Sequence, residues 1–293
     1  MTDISAGGLT GKTRVLAVFG APIEHSISPA MHNAAIRELG LDLVYVPFRV
    51  EAEYLPAAVE GVRRMGFLGV NLTIPLKEPA VKLVDDLSEL SARIGAVNTL
   101  YWKAGKLCGH STDADGFILS LEKEMAEHGA GGKADLPGEA LVLGAGGSSR
   151  AVCYALASRG VRLTIANRTL ERAETLVQML GLDKGVKVIP FKGELLRRVA
   201  ASSPLVVNTT SIGMVYDASQ SPLPCDCFYP GQIVYDLVYN PLETRLLADA
   251  RRLGAIGING LKMLVYQGAL SFELWTGVFP PPNTMETAAR NSL

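Results

Sequence analysis

The sequence predicts an α/β protein of two domains. Three observations carry this. The chain has 293 residues, and about 150 residues per domain is the usual allotment. Short apolar runs alternate with segments of helical periodicity, the pattern of parallel sheets. A glycine cluster at Gly144, Gly146 and Gly147 sits between a strand-like run and a helix-like one, opening a second βαβ unit in mid-chain.

Taken in order, Arg14 to Phe19 is an apolar run ending at Gly20, Pro29 to Leu39 has helical spacing and stops at Gly40, and Leu43 to Val50 is rich in β-formers. That is a β-α-β unit. A helix is expected over Tyr54 to Met65, ending at Gly66, then a strand over Leu68 to Thr73 closed by Pro75 and Pro79. Asp85 to Ile94 reads as a helix, and Ala96 to Trp102 begins a hairpin-like excursion through Gly105.

Gly129 to Gly138 reads as a loop. Beyond it the strand Ala140 to Leu143 enters the glycine cluster, a helix continues through Ala151 to Ser158, and Val161 to Ala166 supplies the next strand. Leu205 to Asn208 and Ile233 to Leu237 read as buried strands separated by the loop Ser221 to Pro230. After Asn259-Gly260 comes an apolar helix, Leu261 to Thr276, and then a Pro-rich tail. No repeat of 20–50 residues interrupts this order.

Composition narrows the function. Hydrophobic residues are 48% and charged residues 19%, too apolar for a disordered chain. The 28 basic and 29 acidic residues leave a formal charge of −1, so no global field attracts nucleic acid. No apolar run approaches the roughly 20 residues of a membrane span, and Met1 to Thr10 has no basic or apolar targeting pattern, so a cytoplasmic protein is expected. Cys108, Cys153, Cys225 and Cys227 form no CxxC pair and no spacing to histidine, which fits a reducing compartment and argues against a metal site.

Several segments have the residue types that chemistry needs. Leu143-Gly144-Ala145-Gly146-Gly147-Ser148-Ser149-Arg150 would let backbone N–H groups at a helix N-terminus approach a pyrophosphate. Ser149 takes the place of the third glycine of the usual pattern, and a plain tight turn is the alternative. At the end of the next strand, where NAD-binding proteins place a carboxylate, stand Asn167, Arg168 and Thr169, with Arg172 one turn later. Guanidinium groups there suit a 2′-phosphate and favour NADP. The alternative is that Asn167 caps the helix and the arginines, near Glu171, are solvated surface.

In the first half, Ser26 and Ser28 before Pro29 read equally as a helix cap or as a carboxylate site. Lys77, held between Pro75 and Pro79, suits proton transfer, a hydrogen bond to substrate, or simple exposure. Asn98 and Thr99 follow the apolar Ile94 to Val97. Asp113 lies in a turn-rich segment where an Asx-turn or N-cap is the ordinary reading. Gln267 shares its helix flank with Met263, Leu270 and Leu274, so its amide needs a partner. His25 and His32 read as structural.

In sequence order these motifs, with Gly20-Ala21-Pro22-Ile23-Glu24-His25-Ser26-Ile27-Ser28, Asn71-Leu72-Thr73-Ile74-Pro75-Leu76-Lys77, Gly95-Ala96-Val97-Asn98-Thr99, Thr112-Asp113-Ala114-Asp115-Gly116 and Gly260-Leu261-Lys262-Met263-Leu264-Val265-Tyr266-Gln267 among them, make the chain resemble the shikimate dehydrogenase family from Phe19 to about Gly277. The resemblance implies NADP-linked, reversible reduction of 3-dehydroshikimate to shikimate, on the way to aromatic amino acids. It implies an N-terminal α/β substrate domain and a Rossmann-type NADP-binding domain separated by a cleft, with Gly116 and Gly257 to Gly260 as hinges. Because the final helix carries Gln267 back to the first domain, the expected extents are 1–114 plus 260–293 and 115–259.

By the same resemblance Ser26 and Ser28 bind the substrate carboxylate, Thr73, Asn98 and Gln267 bind its hydroxyls, and Tyr239 lies nearby. Lys77 and Asp113 form the catalytic pair. The cofactor falls to Gly144, Ala145, Gly146, Gly147, Ser148, Asn167, Arg168, Thr169, Arg172, Leu237, Gly260 and Met263. A monomer or homodimer is expected, with a small-molecule substrate as partner. Departures from the pattern are Ser148 and Gly268, where alanine is common. Two other readings are a quinate/shikimate dehydrogenase with relaxed NAD(P) use and a catalytically silent NADP-sensing regulator.

Overall fold

The structure is a computed structural model that describes residues 8–129, 136–182 and 185–293. In chain order its elements begin with β1 (Arg14–Gly20), α1 (Ser28–Glu38), β2 (Leu43–Arg49), α2 (Leu55–Met65), β3 (Gly69–Leu72), β4 (Asp86–Leu87), α3 (Glu89–Ile94), β5 (Thr99–Lys103) and β6 (Lys106–His110). They continue with α4 (Asp113–Glu127), β7 (Glu139–Leu143), α5 (Gly147–Ala157), β8 (Arg162–Asn167), α6 (Leu170–Met179), β9 (Val186–Pro190), α7 (Glu194–Ala200) and β10 (Leu205–Asn208). Last come β11 (Ile233–Asp236), α8 (Arg245–Arg252), β12 (Ile256–Ile258), α9 (Leu261–Thr276) and α10 (Pro282–Arg290). Two compact units contain them: Met1–Thr112 with Gln267–Leu293, and Asp113–Tyr266.

The first unit is built on a sheet of order β2-β1-β3-β5-β6-β4. β1 pairs in parallel with β2 and β3, as the alternating pattern predicts. β3–β5 and β5–β6 are antiparallel, so this sheet is mixed rather than parallel. For β5–β6 the reason is local. Ala104 and Gly105 both have positive φ, +49° and +77°, and such a two-residue turn returns the chain antiparallel to itself. Leu55, Val59 and Val62 of α2 pack with Ala17, Phe19, Val70, Leu72, Val97 and Leu100 of the sheet, and α2 ends where Gly66 turns left-handed at φ +72°.

One expectation fails here. Only the second half of 85–94 is helical, because Ser88 caps α3 by accepting from Ser91 N at 3.1 Å, while Asp86 and Leu87 pair with β6. The Pro-rich tail contains a helix. Its prolines precede or open α10, where a missing N–H costs nothing, and Met285 and Ala289 are buried.

The second unit has the order β12-β11-β10-β7-β8-β9, and every neighbouring pair is parallel. Strand order reverses between β7 and β10, the place where open α/β sheets bind ligands beyond the carboxyl ends of their strands. Leu141, Leu143, Val206 and Val234 bury one face against Leu196, Leu246 and Leu247. Of the loop expected over 129–138, residues 130–135 lie outside the described residues, as do 1–7 of the N-terminal segment read for targeting.

One close approach in the first unit is diagnostic. A Cβ at Gly69 would stand 2.1 Å from the indole of Trp275, whose Nε1 donates to Leu100 O at 2.9 Å. Gly69→Ala is therefore expected to cost about 1–3 kcal/mol through overpacking, read as a lower urea midpoint. An unchanged midpoint would show that α9 does not bear on β3 at this point.

Candidate active site

In the first unit the candidate groups stand on loops leaving the carboxyl ends of β1 and β3 and on the strands beside them. Gly20 ends β1 against the loop after β3: its absent Cβ would lie 2.3 Å from Thr73 Cγ2, and Thr73 N donates to Phe19 O at 2.9 Å. Only glycine permits that approach. The half-buried Ser26 follows on the loop after β1, and the half-buried Ser28 opens α1. Of the two readings the capping one does not hold, because Ile27 occupies the N-cap of α1 and no side chain caps it. Ser26 Oγ instead accepts from Ser28 N at 3.4 Å.

Lys77 is half-buried, and its carbonyl accepts from Val97 N at 2.8 Å. That bond sets it one residue from Asn98, which is buried. Gln267 finds the partner its surroundings demanded: Asn98 Nδ2 donates to Gln267 Oε1 at 3.1 Å. The buried stripe of α9 differs from the predicted flank, since Leu274 is exposed while Ala269, Phe272 and Trp275 are buried. Thr112 N donates to Asn98 Oδ1 at 2.9 Å. Asp113 therefore follows directly on a residue held by Asn98, and it opens α4 as a helical residue rather than as a cap.

The histidines agree with a structural reading. His25 is exposed. His32 is fully buried and stacks on Tyr45 with centroids 4.2 Å apart, and burial pushes its pKa down to about 3. It serves as a neutral aromatic plate.

In the second unit, Gly144 leaves β7 with φ +108°, and a Cβ there would meet Thr209 Oγ1 at 2.8 Å. At Gly146 and Gly147, by contrast, a Cβ would touch nothing within 4 Å, so open space lies above the first turn of α5. Ser149, in the third-glycine position, is buried, and its hydroxyl donates to Gly144 O at 2.8 Å. The substitution thus replaces close packing with a bond that holds the turn. Exposed Ser148 adds a hydroxyl on the open side.

At the end of β8, Asn167 Nδ2 donates to Thr169 O at 2.7 Å. Thr169, not Asn167, is the N-cap of α6. Arg168 and Arg172 are exposed, and neither has an ion-pair partner among the described residues, Glu171 included. The arrangement is two unneutralised guanidinium groups beside a glycine turn.

The third part of this unit is the loop after β11. Leu237 N donates to Asn208 O at 2.9 Å and Gly260 N to Val238 O at 3.1 Å. A Cβ at Gly260 would fall 2.0 Å from Leu237 O, so glycine is obligatory there. Tyr239 is half-buried, and burial raises its pKa. Met263 is buried in the first turn of α9. Its neighbour Lys262 pairs with Glu124 at 2.9 Å and with Glu127, tying α9 to α4.

Residue-type reasoning missed Asp236. Its carboxylate is fully buried and accepts from Asn208 Nδ2 at 3.0 Å, Val238 N at 3.1 Å and Thr244 Oγ1 at 2.7 Å. Burial pushes its pKa up to about 6, against the lowering by these three donors. The signal available was an acidic residue ending an otherwise apolar strand.

Family models match this chain in three places: a shikimate dehydrogenase substrate binding domain over residues 18–100, a shikimate/quinate 5-dehydrogenase over 132–220, and a shikimate 5′-dehydrogenase C-terminal domain over 260–290. The shikimate dehydrogenase (NADP(+)) of Methanothermobacter thermautotrophicus is 42% identical over 287 residues, 97% of this chain and 99% of the relative. Among solved structures, a shikimate dehydrogenase in complex with NADP+ superposes with a TM-score of 0.89 at 37% identity, covering 97% of each chain. The shikimate 5-dehydrogenase of Thermus thermophilus, in complex with NADP(H) and shikimate, gives 0.83 at 42%, covering 96% of this chain and 100% of that one.

Asp236 makes a pH prediction. Its folded pKa of about 6 exceeds the ordinary 3.8, so the native state binds its proton more tightly than the unfolded state. Stability from this group is fully present below pH ~4 and is lost as pH rises through ~6, by about 3 kcal/mol at most. Asp236→Asn removes that dependence. Its stability relative to wild type should therefore improve from pH 4 to pH 7 in urea unfolding; a difference that stays flat with pH refutes the assignment.

Proposed function

The chain belongs to the shikimate dehydrogenase family, and from that premise we propose that it catalyses the reversible NADP-dependent reduction of 3-dehydroshikimate to shikimate. The observation that carries this reading is the meeting of Asn98 and Gln267, 169 positions apart, at 3.1 Å one residue from the backbone bond that holds Lys77. Two amides and a lysine held close together in the chain's fold suit a ring bearing several hydroxyls. Ser26 and Ser28, both half-buried, take the carboxylate with their hydroxyls and the N-terminal N–H groups of α1. Thr73, Asn98 and Gln267 take the ring hydroxyls, and Tyr239 is a further substrate group.

NADP fits the groups of the second unit. The unobstructed Gly146 and Gly147 admit a pyrophosphate against the N-terminus of α5, with Gly144, Ala145 and Ser148 completing the turn. Asn167, Arg168, Thr169 and Arg172 receive the adenosine ribose and its 2′-phosphate, since two guanidinium groups that Glu171 does not pair with favour that dianion. Leu237, Gly260 and Met263 flank the nicotinamide. When bound, the reduced cofactor supplies the hydride equivalent. Lys77 Nζ donates a proton to the oxygen developing at C3 of the substrate, and Asp113 orients that oxygen and the lysine. The four cysteines are free thiols, in keeping with a cytoplasmic enzyme, monomeric or homodimeric.

The direct test follows the absorbance of the reduced nicotinamide with shikimate or quinate, each with NADP+ or NAD+. Shikimate with NADP+ should be the preferred pair. Tight NADPH binding without turnover of either substrate would replace the reading with a silent sensor.

Two variants test the roles. Lys77→Ala should lower kcat by roughly 10²–10⁴-fold with little change in KM for shikimate; near-normal kcat removes the lysine from the chemistry. Arg168→Ala should raise KM for NADP+ about tenfold or more, the worth of a charge-assisted pair, while leaving NAD+ kinetics unchanged. Equal effects on both cofactors would exclude recognition of the 2′-phosphate.

A further inference from the structure

Beneath Asn98 lies a set of buried hydroxyls that the proposed reaction does not use. Thr99 Oγ1 donates to Asn98 Oδ1 at 2.8 Å, Thr99 and Ser271 hydroxyls meet at 2.7 Å, Ser271 and Thr112 hydroxyls meet at 3.2 Å, and Asn98 Nδ2 donates to Thr112 Oγ1 at 2.9 Å. Thr99, Thr112 and Ser271 are 0–1% exposed.

The orientation of the two amides is determined. Thr112 N meets Asn98 Oδ1 at 2.9 Å, and a backbone N–H can only donate, so the inward atom of the Asn98 amide is oxygen. Asn71 is fixed likewise, because its Nδ2 lies 3.1 Å from the carbonyl of Asn98, which can only accept, while its Oδ1 accepts from Tyr45 Oη at 2.7 Å. From Nδ2 of Asn71 a bond also enters Ser271 Oγ at 3.0 Å. One circuit that fits these fixed ends runs from Asn98 Nδ2 to Thr112, Thr112 to Ser271, Ser271 to Thr99, and Thr99 back to Asn98 Oδ1, and in that sense the bonds polarise one another; the Thr112 hydroxyl also lies 3.2 Å from Asn98 Oδ1 and that of Ser271 3.0 Å from Gln267 O.

We propose that Thr99 is a positioning residue of the substrate site, which closes this ring and locks the Asn98 amide with its oxygen inward and its remaining N–H toward Gln267. Both amides of the hydroxyl-binding pair thereby hold one orientation before substrate arrives, and less ordering is left to binding. The inference rests on the reading of Asn98 and Gln267 as substrate groups. Thr99 itself touches no reacting atom. Its effect on substrate is exerted in ground state and transition state alike, so it falls on KM rather than kcat.

Thr99→Val keeps the shape and deletes the hydroxyl; Thr99→Ser keeps the hydroxyl and deletes a methyl. The valine variant should raise KM for shikimate about tenfold, a typical share for one buried hydrogen bond, with kcat and KM for NADP+ within twofold of wild type. The serine variant should restore KM even if its melting temperature falls. An unchanged KM in the valine variant overturns the inference. So does a joint loss of kcat, both KM values and thermal stability that serine does not rescue, since that marks a structural role only.

Should the valine variant fail to fold, hydrogen exchange of the Asn98 side-chain amide, read by NMR in Asn-labelled wild-type protein, decides. Protected Nδ2 protons in the ligand-free protein support the ring, and exchange at the rate of a free amide refutes it. Absence of shikimate turnover in the wild type sinks the proposed function instead, and the exchange measurement still tests the ring.

Discussion

The return of one helix to a sheet that the chain left far behind is the constraint on which the candidate site depends. Gln267 and Asn98 meet across 169 positions of sequence, and closing a loop of that length costs several kcal/mol of chain entropy. One hydrogen bond, worth about 1 kcal/mol net, does not offset this. The indole of Trp275 does more: it is buried, lies 5.7 Å from the His32 ring and 6.2 Å from Tyr45, and donates to Leu100 O. Gly69 leaves the space for it, and Phe272 and Ala269 are buried on the same helix. The polar meeting is therefore held in place by apolar packing two turns further along.

The second unit faces a different problem, and the site proposed there would meet an anion with little formal charge. Its glycine turn offers backbone N–H groups at a helix N-terminus, whose partial charge is fixed and cannot be screened by side-chain motion. The formal charges are few and exposed, Arg168 and Arg172 at the end of β8. A carboxylate is present too, but Asp236 is buried under three donors. All three neighbours donate, so an amide in its place would leave Thr244 without an acceptor for its hydroxyl. Thr244 also accepts from Leu247 N at 3.3 Å as the cap of α8. One carboxylate thus binds the strand end, the loop that follows and a helix start.

Much of this was legible in the chain because it is local. Gly66, the Asn-Gly before α9 and the glycine cluster at 144–147 announce turns through backbone freedom, and strands such as Leu205–Asn208 and the helix Leu261–Thr276 coincide with their apolar runs. What escaped is what depends on a distant partner. The antiparallel β3–β5 pairing, the docked α10 and the short strand at Asp86 are decided by what lies beside them in space. Residue types at 26–28 could not separate a cap from a free pair of hydroxyls, and the structure does so because Ile27 takes the cap position. Gln267 was the exception, since an amide among apolar neighbours demands a partner even when the partner is unknown.

The same contrast explains why the ring beneath Asn98 is invisible in sequence. Thr99, Thr112 and Ser271 are ordinary residues for a strand, a loop and a helix, and serine or threonine in such places usually bonds its own backbone. Ser271 keeps that option, lying 3.0 Å from Gln267 O. A local bond of this kind satisfies one hydroxyl, whereas the circuit satisfies three hydroxyls and the inward oxygen of an amide in a buried, low-dielectric place where each unmade bond is costly. Because Asn98 Oδ1 also faces a backbone N–H, reversing the amide would set donor against donor and break the circuit at both ends. The orientation of the Asn98 amide is thus a property of the whole cluster, to which three common residues contribute.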